Sequence, residues 1–194
     1  MTDMLHMPMR YTNLTPVRPI ADLPIRLFGA VRESIVDGPG LRFVVFVQGC
    51  PHHCPGCHNP ESHDPDGGYM SSTARIWQAA SKNPMIRGIT FSGGEPFLWG
   101  NELYEIGRVA REAGMDIVTY SGFTYEQLLE KAKREEGVRK LLTVTNYLID
   151  GPFVEAQRDI TLKFRGSSNQ RILDVTCYPN SDRAQVVDFD TVRH

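Results

Sequence analysis

The sequence predicts an α/β protein in which parallel strands form an incomplete, open TIM-like barrel of about six βα units. Strand-like runs alternate with helix-like runs along most of the chain, as in proteins built from parallel βα units. Several of the strand-like runs end directly on motifs rich in Gly, Pro or Cys. A closed barrel takes about 250 residues, and the chain has only 194. We therefore expect the barrel to be open on one side.

The strands are predicted from apolar runs. Residues 42–48, RFVVFVQ, are almost continuously apolar, which is typical of a strand covered on both faces in a parallel sheet. Residues 25–33 show partial alternation of apolar and polar side chains. The predicted strands are 25–33, 42–48, 86–92, 115–120 and 144–150.

Helices are predicted between these strands from their caps and apolar faces. They cover 73–81, 99–113 and the residues from Thr124 to about Lys133. Ser71 or Ser72 supplies the N-cap of the first helix, and Gly114 the C-terminal cap of the second. Thr124 and Gln127 form a capping-box pattern at the start of the third.

Four unusual motifs each follow a predicted strand. They are the cysteine loop from Gly49, GGEP at 93–96, YSGF at 120–123 and IDGP at 149–152. The carboxyl ends of parallel strands meet at one edge of a βα sheet, and this edge carries the active site in such proteins. The sequence therefore predicts that these motifs converge on one site.

Charge and composition narrow the function classes. The formal net charge is −2 and the Lys and Arg residues are spread along the chain, so we expect no binding to nucleic acid. No apolar run is long enough to span a bilayer, and the cysteines do not form a spaced disulfide framework. Both observations favour a soluble protein of the reducing cytoplasm, without a membrane partner. We divide the chain into a flexible N-terminal arm (1–24), one domain (25–173) and a C-terminal tail (174–194).

The segment GCPHHCPGCHNPES at 49–62 is the strongest chemical signal. Cys50, Cys54 and Cys57 are spaced C-x3-C-x2-C, short enough to bind one metal centre through thiolates. Structural zinc would need a fourth ligand, from Cys177 or from a nearby histidine. Thiol exchange at CPGC is a second interpretation. The third is an iron–sulfur cluster, which is normally held by four thiolates, so that a three-cysteine loop leaves one iron open for a substrate.

The three-cysteine loop together with GGEP at 93–96 resembles the radical S-adenosylmethionine superfamily. The run VDGPGLRFVVFVQGCPHHCPGCHNP at 36–60 is similar to the activating enzymes of glycyl-radical enzymes. The Gly before the last cysteine, the short chain and YLIDGPFVEAQRDITLKFRGSSNQR at 147–171 favour activators of the anaerobic ribonucleoside-triphosphate reductase over those of pyruvate formate-lyase. The resemblance covers residues 26–173 and implies the radical S-adenosylmethionine fold.

This resemblance implies a radical enzyme whose chemistry is carried by cofactors rather than by a catalytic side chain. Cys50, Cys54 and Cys57 would bind three irons of one 4Fe-4S cluster, and the fourth iron would chelate S-adenosylmethionine. Reductive cleavage of S-adenosylmethionine would give a 5′-deoxyadenosyl radical, which takes a hydrogen atom from a glycine of the partner. The implied partners are the anaerobic ribonucleoside-triphosphate reductase and a low-potential electron donor such as flavodoxin.

Two alternative functions stay open. The chain could activate another glycyl-radical enzyme such as pyruvate formate-lyase, or it could be a zinc-stabilised binding module. Cys177 lies beyond the resembling region and is given no role.

The resemblance also implies which residues contact S-adenosylmethionine. They are Gly56, Cys57, His58, Gly93, Gly94 and Glu95. The glycine pair allows close backbone approach to the amino group of the cofactor, and Glu95 adds negative charge beside that cation. Most of the superfamily has an aromatic residue immediately before the third cysteine, where this chain has Gly56. His58 is the candidate that replaces it in stacking on adenine.

Other polar residues near the strand ends have weaker signals. Thr119 and Ser121 are candidates for contact with the ribose or carboxylate of the cofactor. Asp37 and Asp150, each before Gly-Pro, are interpreted as turn residues. Arg165 either lies in a solvated turn or meets the partner or the nucleoside end of the cofactor.

Overall fold

One open sheet of eight strands runs through the part of the chain that the computed structural model describes, residues 18–189. The strands are β1 (Pro24–Ser34), β2 (Arg42–Val47), β3 (Tyr69–Ser72), β4 (Gly88–Gly93), β5 (Asp116–Tyr120), β6 (Tyr147–Asp150), β7 (Arg171–Asp174) and β8 (Gln185–Val186). Their order across the sheet is β3-β1-β2-β4-β5-β6-β7-β8. The prediction of an α/β protein with an unclosed sheet is therefore confirmed.

The parallel part of the sheet is smaller than predicted. β2, β4, β5 and β6 pair in parallel, whereas β1 and β3 on one side and β7 and β8 on the other are antiparallel. The prediction of about six βα units is wrong, because the described residues contain three helical crossovers between four parallel strands. The turn at 35–41 between β1 and β2 is shorter than the roughly dozen residues that a crossover needs, so the chain reverses there.

The α-helices of the described residues pack together on one face of the sheet. They are α1 (Thr73–Ala80), α2 (Gly100–Glu112), α3 (Tyr125–Ala132) and α4 (Glu136–Val144). Their apolar faces meet the parallel strands in one core that includes Phe43, Ile89, Phe91, Ile117, Leu148, Trp77, Ile106, Leu128 and Leu141. The other face of the sheet is therefore left for loops and for the pocket described below.

The helix caps predicted from the sequence are confirmed. The hydroxyl of Ser72 accepts a hydrogen bond from the backbone N–H of Arg75 at the start of α1. Thr124 and Gln127 form the reciprocal capping box of α3, with N–H to side-chain oxygen distances of 2.9 and 3.3 Å. Gly114 follows α2 with a φ of 80°, the left-handed conformation that favours glycine after a helix.

The segment before β6 differs from its prediction. A strand is predicted from residue 144, but Val144 is the last residue of α4, and β6 begins at Tyr147. The helix α4 itself has no counterpart among the predicted helices. Its buried residues are Val138, Leu141, Leu142 and Val144. They recur at helical spacing, so burial against the core overrides the strand preference of valine and threonine.

Both flanking segments contact the domain where they are described. On α2, Glu105 accepts a hydrogen bond from Arg18 at 2.9 Å and from the backbone N–H of Ala21 at 3.3 Å. Beyond β8, Phe189 packs edge-to-face on Tyr147, with ring centroids 4.9 Å apart. The predicted boundaries at 24 and 173 stay predictions, and residues 1–17 and 190–194 lie outside the described residues.

Within residues 18–189, no helix has both the length and the apolar character needed to cross a membrane.

Arg42 joins three parallel strands at their amino-terminal ends. Its side chain is fully buried, and it donates to the carbonyls of Ile89 and Asp116 at 2.9 and 3.1 Å and to the Thr90 hydroxyl at 2.7 Å. One of its Nη atoms also lies 2.6 Å from a carboxylate oxygen of Asp116. Burial lowers the pKa of Arg42, and the Asp116 carboxylate opposes that shift. The guanidinium thus fixes the starts of β2, β4 and β5 relative to one another.

We expect Arg42→Met to lower the free energy of unfolding by about 1–3 kcal/mol, because it removes the hydrogen bonds that the buried guanidinium donates to Thr90 and to the carbonyl of Ile89. The methionine fills much of the same space but leaves the Asp116 carboxylate without its partner. Urea unfolding of the metal-free protein measures the change. The exposed pair between Lys133 and Glu130 provides a matched control, because Lys133→Met should cost less than about 1 kcal/mol. Equal losses in the two variants would contradict this account of Arg42.

Candidate functional site

A pocket of about 480 Å³ lies at the carboxyl ends of the parallel strands. This volume falls within the range of about 300–1,000 Å³ that is typical of small-molecule sites. The pocket is lined by residues from each of the four motifs that follow strands, including Cys50, Cys54, Cys57, His58, Gly93, Gly94, Ser121, Gly122 and Gly151. The predicted convergence of these motifs is therefore confirmed.

The cysteine loop is closed by hydrogen bonds at its base. The side-chain amide of Gln48, which is 1% exposed, donates to the carbonyls of Glu61 and Asp64 at 2.8 and 2.6 Å. The backbone N–H of Cys50 donates to the carbonyl of His63 at 3.2 Å. These hydrogen bonds join the end of the loop, at residues 61–64, to the end of β2. The three cysteines lie on the part of the chain between them.

The three thiols of the loop are free and half-buried in the pocket wall. Burial raises the pKa of Cys50 to about 11, so a metal that binds there has to displace a proton. Cys177 is exposed and does not line this pocket in the described structure.

The glycine pair after β4 packs closely against the end of β2. The backbone N–H of Gly94 donates to the carbonyl of Val47, and that of Glu95 to the carbonyl of Gly49, both at 2.8 Å. A Cβ atom on Gly94 would lie 2.2 Å from the carbonyl oxygen of Gly49. Gly93 has a φ of 99°, which also favours glycine. The fold itself therefore requires both glycines, besides any contact that they make with a ligand.

The carboxylate of Glu95 is fully buried and does not line the pocket as described. One oxygen accepts hydrogen bonds from the backbone N–H of Phe97 and the hydroxyl of Ser121, both at 3.0 Å. The other accepts from the backbone N–H of Gly122 at 2.9 Å and lies 2.9 Å from Nε2 of His52. Contact of this side chain with the amino group of S-adenosylmethionine stays a prediction, and both oxygens are engaged by protein groups.

An aromatic pair forms part of the pocket wall. The rings of His58 and Phe153 lie with centroids 5.3 Å apart at an angle of 48°. Gly166 packs against both rings, since a Cβ atom there would lie 3.0 Å from Phe153 and 3.2 Å from His58. Gly56 has no side chain, and a Cβ atom on it would lie 3.0 Å from the carboxylate of Glu155. The aromatic pair thus combines a residue after Cys57 with a residue after β6.

The two hydroxyl candidates on β5 and after it lie in different places. Thr119 is fully buried, and its hydroxyl is 2.9 Å from that of Thr145 on the helix side of the sheet. Ser121 lines the pocket, but its hydroxyl donates to Glu95. Thr119 is therefore structural, and only Ser121 is placed at the site.

The turn aspartates and Arg165 are placed as follows. Asp150 is 1% exposed, accepts a hydrogen bond from the backbone N–H of Tyr125 at 2.7 Å and pairs with Arg171, so it is a structural residue. Asp37 accepts a hydrogen bond from its neighbour Ser34. Both Asp37 and Arg165 line the pocket.

The sequence-based reasoning missed His52 and Phe153 as site residues. His52 lines the pocket and packs edge-to-face on Phe123, with centroids 4.5 Å apart. No local signal could identify its role, because its partner Glu95 lies 43 residues away in the sequence. Phe153 did have a signal, since it is the first aromatic residue after the strand that ends on Asp-Gly-Pro.

The donors present fit an iron–sulfur cluster. Such a cluster binds each thiolate to a different iron, so the three sulfurs do not have to meet at one point. Within residues 18–189, no three His, Cys, Asp or Glu side chains are grouped closely enough to hold a single metal ion. Cys50, Cys54 and Cys57 all open onto the same pocket.

Comparison with known protein families also indicates an iron–sulfur cluster. Residues 36–173 match the model of a family described as a 4Fe-4S single cluster domain. This range includes the cysteine loop, GGEP and the segment 147–171.

Several curated proteins are similar over most of their length. The chain is 34% identical to the anaerobic ribonucleoside-triphosphate reductase-activating protein of Escherichia coli K12 over 145 residues, which is 71% of this chain and 90% of that protein. The protein of the same name from Vibrio cholerae is 34% identical over 147 residues, 72% of this chain and 91% of the relative. That of Enterobacteria phage T4 is 30% identical over 148 residues, 72% of this chain and 87% of the relative. The chain therefore belongs to the 4Fe-4S single cluster domain family, together with relatives named anaerobic ribonucleoside-triphosphate reductase-activating proteins.

Proposed function

We propose that this protein is an enzyme that activates the anaerobic ribonucleoside-triphosphate reductase by generating its glycyl radical. When bound, a 4Fe-4S cluster and S-adenosylmethionine supply the chemistry, which is one-electron cleavage of the sulfonium to methionine and a 5′-deoxyadenosyl radical that takes a hydrogen atom from the glycine. The observation that carries this proposal is the opening of three cysteines of one loop onto the strand-end pocket, in a chain whose relatives bear that name.

The chain holds and orients these groups. Cys50, Cys54 and Cys57 would hold the cluster through three thiolates, and the iron without a thiolate would be free to bind S-adenosylmethionine. The exposed position of Cys177, outside the pocket as described, supports this three-thiolate assignment. The other contacts proposed for S-adenosylmethionine come from Gly56, Cys57, His58, Gly93 and Gly94.

The partner docks over the mouth of the pocket. Val36 and Leu162 line the pocket, and their neighbours Ile35 and Ile160 are 73% and 87% exposed. Exposed apolar side chains around a site are typical of protein contact surfaces. A reductase segment seated on them would exclude water and oxygen while the radical is transferred. A low-potential donor such as flavodoxin supplies the electron, and the reducing cytoplasm keeps the thiols available for iron.

Loss of one thiolate should abolish the cluster. We expect Cys54→Ala to retain almost no iron or sulfide after anaerobic reconstitution and to lose cleavage of S-adenosylmethionine, because one iron has lost its ligand. Cys177→Ser is the matched control and should keep wild-type iron, sulfide and cleavage. A wild-type protein that is zinc-replete, free of iron and inert toward S-adenosylmethionine would refute the proposal in favour of a zinc-stabilised module.

The partner can be identified by electron paramagnetic resonance. After anaerobic incubation with this protein, S-adenosylmethionine and a reductant, the anaerobic ribonucleotide reductase should show a glycyl radical signal. Pyruvate formate-lyase treated in the same way should show none. The opposite pattern would mean that the chain activates pyruvate formate-lyase.

The aromatic pair should contribute to binding of the adenine ring. Stacking of a base on an aromatic side chain is worth about 1–3 kcal/mol, so we expect Phe153→Ala or His58→Ala to raise the Kd for S-adenosylhomocysteine about tenfold. Equilibrium dialysis with the cluster-loaded protein measures this, and the affinity for methionine, which has no adenine, should not change. Tyr69→Ala, on the exposed strand β3, is the control variant. An unchanged Kd in both pocket variants would place adenine elsewhere.

A further inference from the structure

Glu95 lies where three loops meet. The carboxylate accepts hydrogen bonds from Phe97 in the turn that follows it, and from Ser121 and Gly122 after β5. The third loop is the cysteine loop, which reaches the same carboxylate through Nε2 of His52 at 2.9 Å. One side chain therefore connects the ends of β2, β4 and β5.

Every one of these contacts can donate to the carboxylate. The backbone N–H groups of Phe97 and Gly122 and the hydroxyl of Ser121 are donors, and His52 donates in the tautomer that carries its hydrogen on Nε2. A buried carboxylate is stable only when its oxygens are satisfied in this way. A glutamine at residue 95 would turn its NH₂ group, itself a donor, toward at least one of these donors. This set of four donors therefore specifically requires a carboxylate.

His52 stands midway between the first two cysteines, and its ring is fitted closely to the loop after β5. A Cβ atom on Gly122 would lie 2.3 Å from Cδ2 of this ring, and Phe123 contacts the ring edge-to-face. The ring is 16% exposed and Glu95 is not exposed at all. The contact between Glu95 and His52 therefore lies in a packed interior next to the pocket. If the contact is lost, water cannot readily take its place.

We propose that Glu95 is a positioning residue, which fixes the cysteine loop against the ends of β4 and β5 through His52. The inference rests on the proposed function, because it takes the cysteines as ligands of a cluster. It differs from the role that the resemblance implies for this side chain. To meet an amino group in the pocket, the carboxylate would have to give up donors that now occupy both of its oxygens.

Chelator titration of the anaerobically reconstituted protein tests the proposal. Removing a group that orients a metal ligand typically weakens metal binding about 10–100-fold, so for His52→Leu we expect half of the iron to be removed at a chelator concentration about tenfold lower. His52→Gln keeps an N–H donor near Glu95 and should restore most of the resistance. Glu95→Gln should be as sensitive as His52→Leu, and adding His52→Leu to it should cost little more, because the contact is already lost.

Glu105→Gln is the matched control. Glu105 is a buried carboxylate on α2 that pairs with Arg18 and Arg108, away from the pocket. The change should lower the unfolding temperature and leave the chelator midpoint unaltered. This separates positioning of the cysteine loop from a general loss of stability.

Unchanged iron retention in both His52→Leu and Glu95→Gln would overturn the proposal. Normal retention in Glu95→Gln with about tenfold weaker binding of S-adenosylhomocysteine would also overturn it, because a direct ligand of the amino group predicts that result. If Glu95→Gln does not fold, the proposal is tested by the chelator midpoints of His52→Leu and His52→Gln alone. Equal midpoints in these two variants would overturn it. A wild-type protein that takes up no iron would instead refute the proposed function, so the two failures are distinguishable.

Discussion

The close approach of β2 and β4 at their carboxyl ends is the constraint on which the site depends. Gly94 lies against the carbonyl of Gly49 with no room for a side chain, and backbone hydrogen bonds join the two strand ends. Gly49 is followed by the first cysteine, and Gly94 by Glu95. This single backbone contact therefore sets the start of the cysteine loop beside the carboxylate that binds its middle. A larger residue at Gly94 would separate the loop from the group that positions it, whereas Gly49 is favoured by its φ of 93°.

The arrangement of the helices explains why the pocket exists. All four described helices pack on one face of the sheet, and their apolar side chains fill one core with the inward residues of the strands. The opposite face carries a small cluster formed by Val118, Ile149, Ile172 and Phe189, with Arg42 and Thr90 near its amino-terminal side. That cluster fills part of the free face, and the carboxyl ends of the strands stay open. Within residues 18–189, the site is thus the part of the second face that neither a helix nor a flanking segment covers.

The sequence was informative where the signal for a feature is local. It was less informative where a feature depends on a residue far away along the chain. The buried strand at 42–48, the caps at Ser72 and Thr124, and the convergence of the strand-end motifs follow from neighbouring residues or from parallel topology, and the structure contains them. The helix α4 was not predicted because its two valines and its threonine favour strands until the core is present. The contact of His52 with Glu95 depends on β2 and β4 lying side by side, so neither motif reveals it alone.

The residue before the third cysteine shows how the fold accommodates a glycine where most of the superfamily that the sequence resembles has an aromatic residue. Gly56 has a φ of 70°, in the left-handed region that side-chain-bearing residues adopt at a cost, and Glu155 occupies the space beside it. An aromatic residue there would need another loop path. His58 and Phe153 form an aromatic pair in the pocket wall, and Gly166 packs against both rings. Two of these three residues lie in the segment 147–171, the same segment that resembles the reductase activators. Part of the pocket wall therefore belongs to the segment that resembles the reductase activators, so substitutions in this segment also reshape the pocket.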